Sequence, residues 1–194
     1  QCHILKCDFK ACEPHYTPRI VATMPEQILK NVFGYDSFRA GQLDVVNTLV
    51  ARENALIVMP TGSGKSLCFQ VPSLLMGGLT IVVSPLVALM GDQVAALKLA
   101  GVDADTINSS RERQVNVAAW KKAAAGETRL LYMAPERLMT DRMLDALSQL
   151  PVKLIAVDEA HCMSRWGPSF RPEYEALSRL QTVFPDVPIA ALTA

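Results

Sequence analysis

The sequence predicts an α/β domain with a mostly parallel sheet flanked by helices. Three observations carry that expectation. From residue 55 onward, short apolar runs alternate with stretches of helical period. The runs are too continuously apolar for strands with one wet face, and they suit strands covered on both sides. Two of them, Ala55-Leu-Ile-Val-Met59 and Leu154-Ile-Ala-Val157, lead straight into polar motifs. Half of the 194 residues are hydrophobic, enough for one sizeable core and one domain.

The elements follow in order. Met24-Pro25 opens the first helical pattern, because proline suits a first turn. Ile28, Leu29, Val32 and Phe33 then share a face, and Gly34 can cap the end. Strands are expected at residues 55–59, 80–84, 105–108, 129–134, 153–157 and 189–193. The helix after the first glycine-rich turn contains Pro72, so a kink or break is expected near Val71. Leu86, Leu89, Met90, Gln93, Val94 and Leu97 form a helical stripe that stops at Gly101. Ser109-Ser-Arg-Glu112 reads as a capping box opening a helix to about residue 126. Thr140 can cap a helix through Leu147 and Leu150, and Pro172 sits where another first turn would begin. Helices of this length between strands imply crossover connections, hence parallel pairing.

Residues 1–23 show neither periodicity. The expectation is that Met24 is the natural start, that 1–23 are a non-native or disordered extension, and that 24–194 form the domain. Ala194 falls within an apolar strand pattern, which reads as a truncation. Cys2, Cys7 and Cys12 lie near His3 and His15, but the spacing is irregular and zinc is not expected. Cys68 and Cys162 lie within the core pattern as small buried thiols. Nineteen basic residues balance nineteen acidic ones, so bulk charge announces no nucleic-acid partner, although a local groove can still be basic. No apolar stretch reaches the roughly 18 residues of a membrane span and no signal peptide is present, so an intracellular protein without a membrane partner is expected.

Two motifs carry chemistry. In Met59-Pro-Thr-Gly-Ser-Gly-Lys-Ser66, the backbone N–H groups of Thr61, Gly62, Ser63 and Gly64 and a helix N-terminus can face phosphates. Lys65 can reach β/γ oxygens and Ser66 can bind Mg²⁺. Met59 stands where the strict pattern has its first glycine. In Asp158-Glu-Ala-His161, Asp158 is the expected Mg²⁺ partner and Glu159 the expected base or water-positioner for in-line attack. His161 joins them only through its place in the motif. An ordinary Gly/Ser turn and a solvated acidic turn are the bland readings. The strand before the loop, the helix after it and the carboxylates downstream argue against both.

These motifs belong to an ordered set. The others are Phe33-Gly-Tyr-Asp-Ser-Phe-Arg-Ala-Gly-Gln42, Ser84-Pro-Leu86 with Asp92-Gln93, Tyr132-Met-Ala-Pro-Glu-Arg-Leu138, and Ala191-Leu-Thr-Ala194. The set resembles that of superfamily 2 helicases, and closely that of the RecQ family, over residues 24–194. The resemblance implies the first of two RecA-like P-loop NTPase domains, with ATP and Mg²⁺ as cofactors. It implies an adenine site in which the Gln42 amide reads the base while Tyr35 and Arg39 stack on it. Arg39 and Gln42, three apart, are expected on one helix. Ser84, Pro85 and Arg137 are implied as contacts to a single strand's backbone.

Cys162-Met-Ser-Arg-Trp-Gly-Pro-Ser-Phe-Arg-Pro-Glu-Tyr174 resembles the family's aromatic-rich loop. There Trp166 and Phe170 offer stacking faces, and Arg165 and Arg171 offer phosphate contacts. Arg165 replaces a usual glutamine, Pro168-Ser169 replaces a usual His-Asp pair, and Ala40 replaces a common proline. The implied function is a 3′-to-5′ ATP-dependent DNA helicase of repair or recombination, acting on single-stranded and duplex DNA, with other DNA-repair proteins as candidate partners. The implied compartment is the cytoplasm of a prokaryote or the nucleus of a eukaryote. Such a domain alone lacks the second domain's arginine finger and is expected to be nearly inactive. A DEAD-box-like RNA helicase and a non-catalytic DNA- or partner-binding module remain as alternatives.

Overall fold

The computed structural model describes the backbone of residues 3–6 and residues 24–60, 62–160 and 179–194. In chain order the elements are β1 (His3–Lys6), α1 (Pro25–Phe33), α2 (Gln42–Val50), β2 (Ala55–Val58), α3 (Leu67–Met76), β3 (Leu79–Val83), α4 (Val87–Leu99), β4 (Ala104–Ile107), α5 (Arg113–Ala124), β5 (Leu130–Met133), α6 (Pro135–Leu138), α7 (Asp141–Ser148), β6 (Val152–Val157), α8 (Arg179–Val183) and β7 (Ile189–Thr193).

Six strands run parallel in the order β2-β7-β6-β3-β5-β4. Parallel pairing places every strand's carboxyl end on one edge, so all the loops that follow strands emerge together. Both faces are covered. Val82, Tyr132, Leu154, Ala156 and Leu192 pack beneath Phe69 of α3 and Met90, Val94 and Leu97 of α4. The alternate residues Ile81, Val83, Leu131, Ile155 and Val157 pack with Ala119 and Ala123 of α5 and Leu144 and Leu147 of α7. This explains why β3 and β5 are buried along their whole length and why their sequences do not alternate.

The six expected parallel strands are present within a residue or two of their expected limits. Four local expectations are corrected. Residues 3–6, inside the segment that shows neither periodicity, pair antiparallel with β2 through His3↔Val58 to Lys6↔Ala55. Four residues are too few to show a period, and edge pairing is a backbone matter.

Helix α3 runs through Pro72 without a break. Every residue from Cys68 to Ser73 is buried, and the Ser73 hydroxyl donates to the Gln70 carbonyl at 2.6 Å. Packing on all sides holds the turn that proline alone would open. Helix α5 begins at Arg113 with Glu112 as its cap, so the Ser109 capping box does not form. Asn108 takes those residues instead. Its side chain accepts from Ser110 N–H, and Asn116 donates back to the carbonyls of Asn108 and Arg111. Finally, Leu86 and Leu89 lie exposed at the start of α4, while Met90, Val94 and Leu97 of the same stripe are buried.

Candidate nucleotide site and the adjoining sheet edge

Strand β2 lies between β1 and β7 with Ala55 and Ile57 buried in the core, and its backbone leads directly into the glycine loop. Met59, at the position of the absent glycine, is 3 % exposed and its sulfur lies 4.0 Å from the Cys68 thiol. A side chain there points into the core, which is why the loop tolerates it. Gly62 and Gly64 have φ of 76° and 83°, the left-handed region that glycine enters without strain. Ser66 then caps α3. Lys65 and Ser66 therefore stand at the helix entrance, where backbone N–H groups favour anions.

The segment before α2 embraces this loop. Arg39 Nη1 donates to the Gly62 carbonyl at 2.8 Å. Gln42 Nε2 donates to the carbonyls of Ser63 and Gly64 at 3.2 and 3.1 Å, and its Oε1 accepts from Arg39 N–H at 2.8 Å. Three successive loop carbonyls are thus held by two side chains. Arg39 precedes the helix, which begins at Gln42, so the expectation that both sit on one helix is corrected. Gly41, with φ of 81°, makes the bend that brings them together. Tyr35 is exposed, and Gln42 is 2 % exposed with its amide turned into the loop.

Asp158 follows β6 and is 8 % exposed. Its N–H donates to the Val83 carbonyl, its Oδ1 accepts from Glu159 N–H at 3.0 Å, and its Oδ2 lies 3.5 Å from Gln93 Nε2. Burial and the adjacent Glu159 charge push its pKa up. The Glu159 N–H, Gln93 and the Lys65 charge pull it down, and the balance lies above the ordinary carboxylate value. Glu159 has φ of 53°, an uncommon conformation for a residue with a Cβ, and it turns the chain sharply at the strand end. Two carboxylates held together at a partly buried edge, within the field of Lys65, favour a cation between them and a phosphate. The Ser66 hydroxyl and Asp158 carboxylate are hard oxygen donors and fit Mg²⁺.

Strand β7 lies between the two halves. Met59 N–H donates to the Thr193 carbonyl and Ala160 N–H to the Leu192 carbonyl. On the other side of β6, register pairs Val157 with Val83, so Ser84 and Pro85 adjoin Asp158 directly. The next connection along, after β5, opens with the short helix α6, which carries Arg137 exposed. The residues expected at the nucleotide and those expected at a single strand therefore share one edge and meet at Asp158 and Ser84. Thr61, His161, Arg165, Trp166, Phe170 and Arg171 lie outside the described residues. Sequence reasoning gave no role to Gln93. Its signal was present, as one polar residue inside the apolar stripe of α4.

Fold and site define a parallel-sheet domain of the RecA-like kind, with a glycine loop and a carboxylate pair at the carboxyl edge. The chain belongs to the DEAD/DEAH box helicase family, whose model matches residues 39–194. It is 50 % identical over 167 residues to the ATP-dependent DNA helicase RecQ of Haemophilus influenzae, covering 86 % of this chain and 27 % of that protein. It is 43 % identical to the protein of the same name from Bacillus subtilis, covering 87 % and 29 %. The chain thus spans somewhat over a quarter of the length of these relatives. Among solved structures, the DUF1998 helicase MrfA matches with a TM-score of 0.68 at 18 % identity, over 92 % of this chain and 30 % of that one. The Mycobacterium smegmatis helicase Lhr matches with 0.64 at 19 % identity, over 84 % and 23 %. At such identities the likeness is one of fold. No helix among the described residues is long and apolar enough to cross a membrane.

Proposed function

We propose that this chain is the nucleotide-binding RecA-like domain of a RecQ-type, 3′-to-5′ ATP-dependent DNA helicase. The observation that carries the proposal is the shared edge. The glycine loop, Asp158 and Ser84 emerge at one edge of the sheet from β2, β6 and β3, with β7 between the first two, so nucleotide and single strand would meet along that edge. The relatives at 43–50 % identity are named as DNA helicases, which favours DNA over RNA as the partner.

In this reading the loop N–H groups and the α3 entrance hold the phosphates, and Lys65 bridges the β/γ oxygens. Arg39, Gln42 and Tyr35 would receive the base. Gln42 would have to exchange its loop carbonyls for the base edge, since its amide N–H groups are already engaged. Mg²⁺, held by Ser66 and Asp158, would neutralise charge on the phosphate oxygens. Glu159 would orient the attacking water and accept its proton. Ser84, Pro85 and Arg137 would contact the strand's backbone, with Arg165, Trp166, Phe170 and Arg171 as the proposed coupling residues.

The test is ATP hydrolysis by the full-length gene product with single-stranded DNA, with RNA and with neither. Stimulation by DNA, with unwinding of a 3′-tailed duplex, is expected. Stronger stimulation by RNA would favour an RNA helicase, and DNA binding indifferent to Lys65 with no hydrolysis would favour a binding module. Lys65→Ala is expected to lower hydrolysis by about two orders of magnitude, the scale seen when one charge-stabilising group is removed. Its melting temperature should stay close to wild type, because Lys65 is only partly buried.

A further inference from the structure

Helix α4 is covered on its inner side by Met90, Val94 and Leu97, all buried against the sheet. Gln93 lies in the same stripe and breaks it. An amide placed there for stability alone would have both ends satisfied, because a buried unpaired polar atom is costly. Gln93 is not satisfied in that way. Its Oε1 is buried without a hydrogen-bond partner, while its Nε2 is aimed at Asp158 Oδ2 from 3.5 Å. The two oxygens of Asp158 are thereby held differently. Oδ1 is held by the adjacent Glu159 N–H, within its own loop. Oδ2 meets a donor from 65 residues away, on another element.

We propose that Gln93 is a positioning residue that holds the Asp158 carboxylate in one orientation from helix α4. The inference rests on the reading of Asp158 as a partner of the metal–nucleotide. Carboxylates that bind metals work best when their orientation is set by a neighbouring donor, and loss of such donors typically weakens metal binding by about 10–100-fold. The donor here belongs to the helix that starts beside Ser84 and Pro85, whose cap residue Leu86 directs its N–H to Ser84 Oγ at 3.4 Å. One rigid helix therefore connects the candidate strand-binding loop with the candidate metal carboxylate.

The test is Mn²⁺ titration of this chain in the presence of ADP, followed by electron paramagnetic resonance, with ADP binding in EDTA measured in parallel. Gln93→Met keeps the size and loses the donor, and Gln93→Glu keeps the shape and faces Asp158 with an acceptor. Mn²⁺ affinity in the ADP complex is expected to fall by about 10-fold in Gln93→Met and further in Gln93→Glu. Metal-free ADP binding should stay within about twofold of wild type, because Gln93 donates to Asp158 and not, among the described residues, to the glycine loop. Wild-type Mn²⁺ affinity in Gln93→Met overturns the proposal, and that variant decides alone if Gln93→Glu does not fold. Equal losses with and without metal also overturn it, since a packing defect would produce them. A wild-type chain that binds no Mn²⁺–ADP refutes the nucleotide reading itself and takes the proposal with it.

Discussion

Tyr132 sits on β5 with no exposed surface, and its hydroxyl faces Gln70 without the geometry of a full hydrogen bond. Burial pushes its pKa far above the ordinary phenol range, so it stays neutral at any working pH. Removing a buried hydroxyl so weakly paired removes a desolvation cost and little else. Tyr132→Phe is therefore expected to leave stability unchanged or raise it by up to about 1 kcal/mol in urea unfolding. Gly78 behaves in the opposite way. With φ of 64°, a Cβ there would lie 2.5 Å from the Pro151 carbonyl oxygen, where β3 and β6 begin. Backbone strain and a backbone clash combine, and Gly78→Ala should cost about 2–4 kcal/mol by the same assay.

Asp105 gives a pH signature. Burial raises its carboxyl, but the Arg111 hydrogen bond, the Thr106 N–H and the charges of Arg111 and Lys98 outweigh it, and the pKa falls below 3.8. A lowered folded pKa means that the unfolded chain takes up the proton first. The contribution is thus complete above the ordinary value of 3.8 and is lost as pH falls through the folded value. Asp105→Asn should destabilise the domain at pH 7, and the gap from wild type should close under strong acid, as read from melts across pH.

At the scale of elements, the strands were legible because burial on both faces writes an apolar run into the sequence. Helix ends were less so. Gly34 caps α1 as its φ of 75° requires. Ser109, by contrast, has the residue type of a cap but stands in a turn that Asn108 and Asn116 organise across eight residues. A local motif cannot reveal a competing partner of that kind. The same comparison makes a prediction. Glu112 is the cap of α5 and makes no side-chain cap hydrogen bond. Glu112→Ser places a preferred cap on an extended backbone and should stabilise the domain by about 0.5–1 kcal/mol in thermal or urea unfolding.

For the whole molecule, the two polar motifs were readable because each needs a strand before it, and Lys65, Ser66, Asp158 and Glu159 fall where that logic puts them. The partners of those residues were not readable. That Gln42 and Arg39 hold the loop's carbonyls, and that Gln93 meets Asp158, depends on which strands become neighbours. Strand order is set by packing, and no period in the sequence encodes it.

That strand order also bears on how the molecule is made. The loop after β2 and the carboxylates after β6 are separated by β7, which follows both in sequence and bonds to both through Thr193 and Leu192. A nascent chain that has emerged only to residue 188 holds every candidate nucleotide residue but has nothing to seat between β2 and β6. Pairing so distant in sequence is slow to form, and unpaired strand edges invite aggregation until it does. Nucleotide is therefore not expected to template the folding of this domain before β7 has joined the sheet, because β7 seats the two halves of the site against each other.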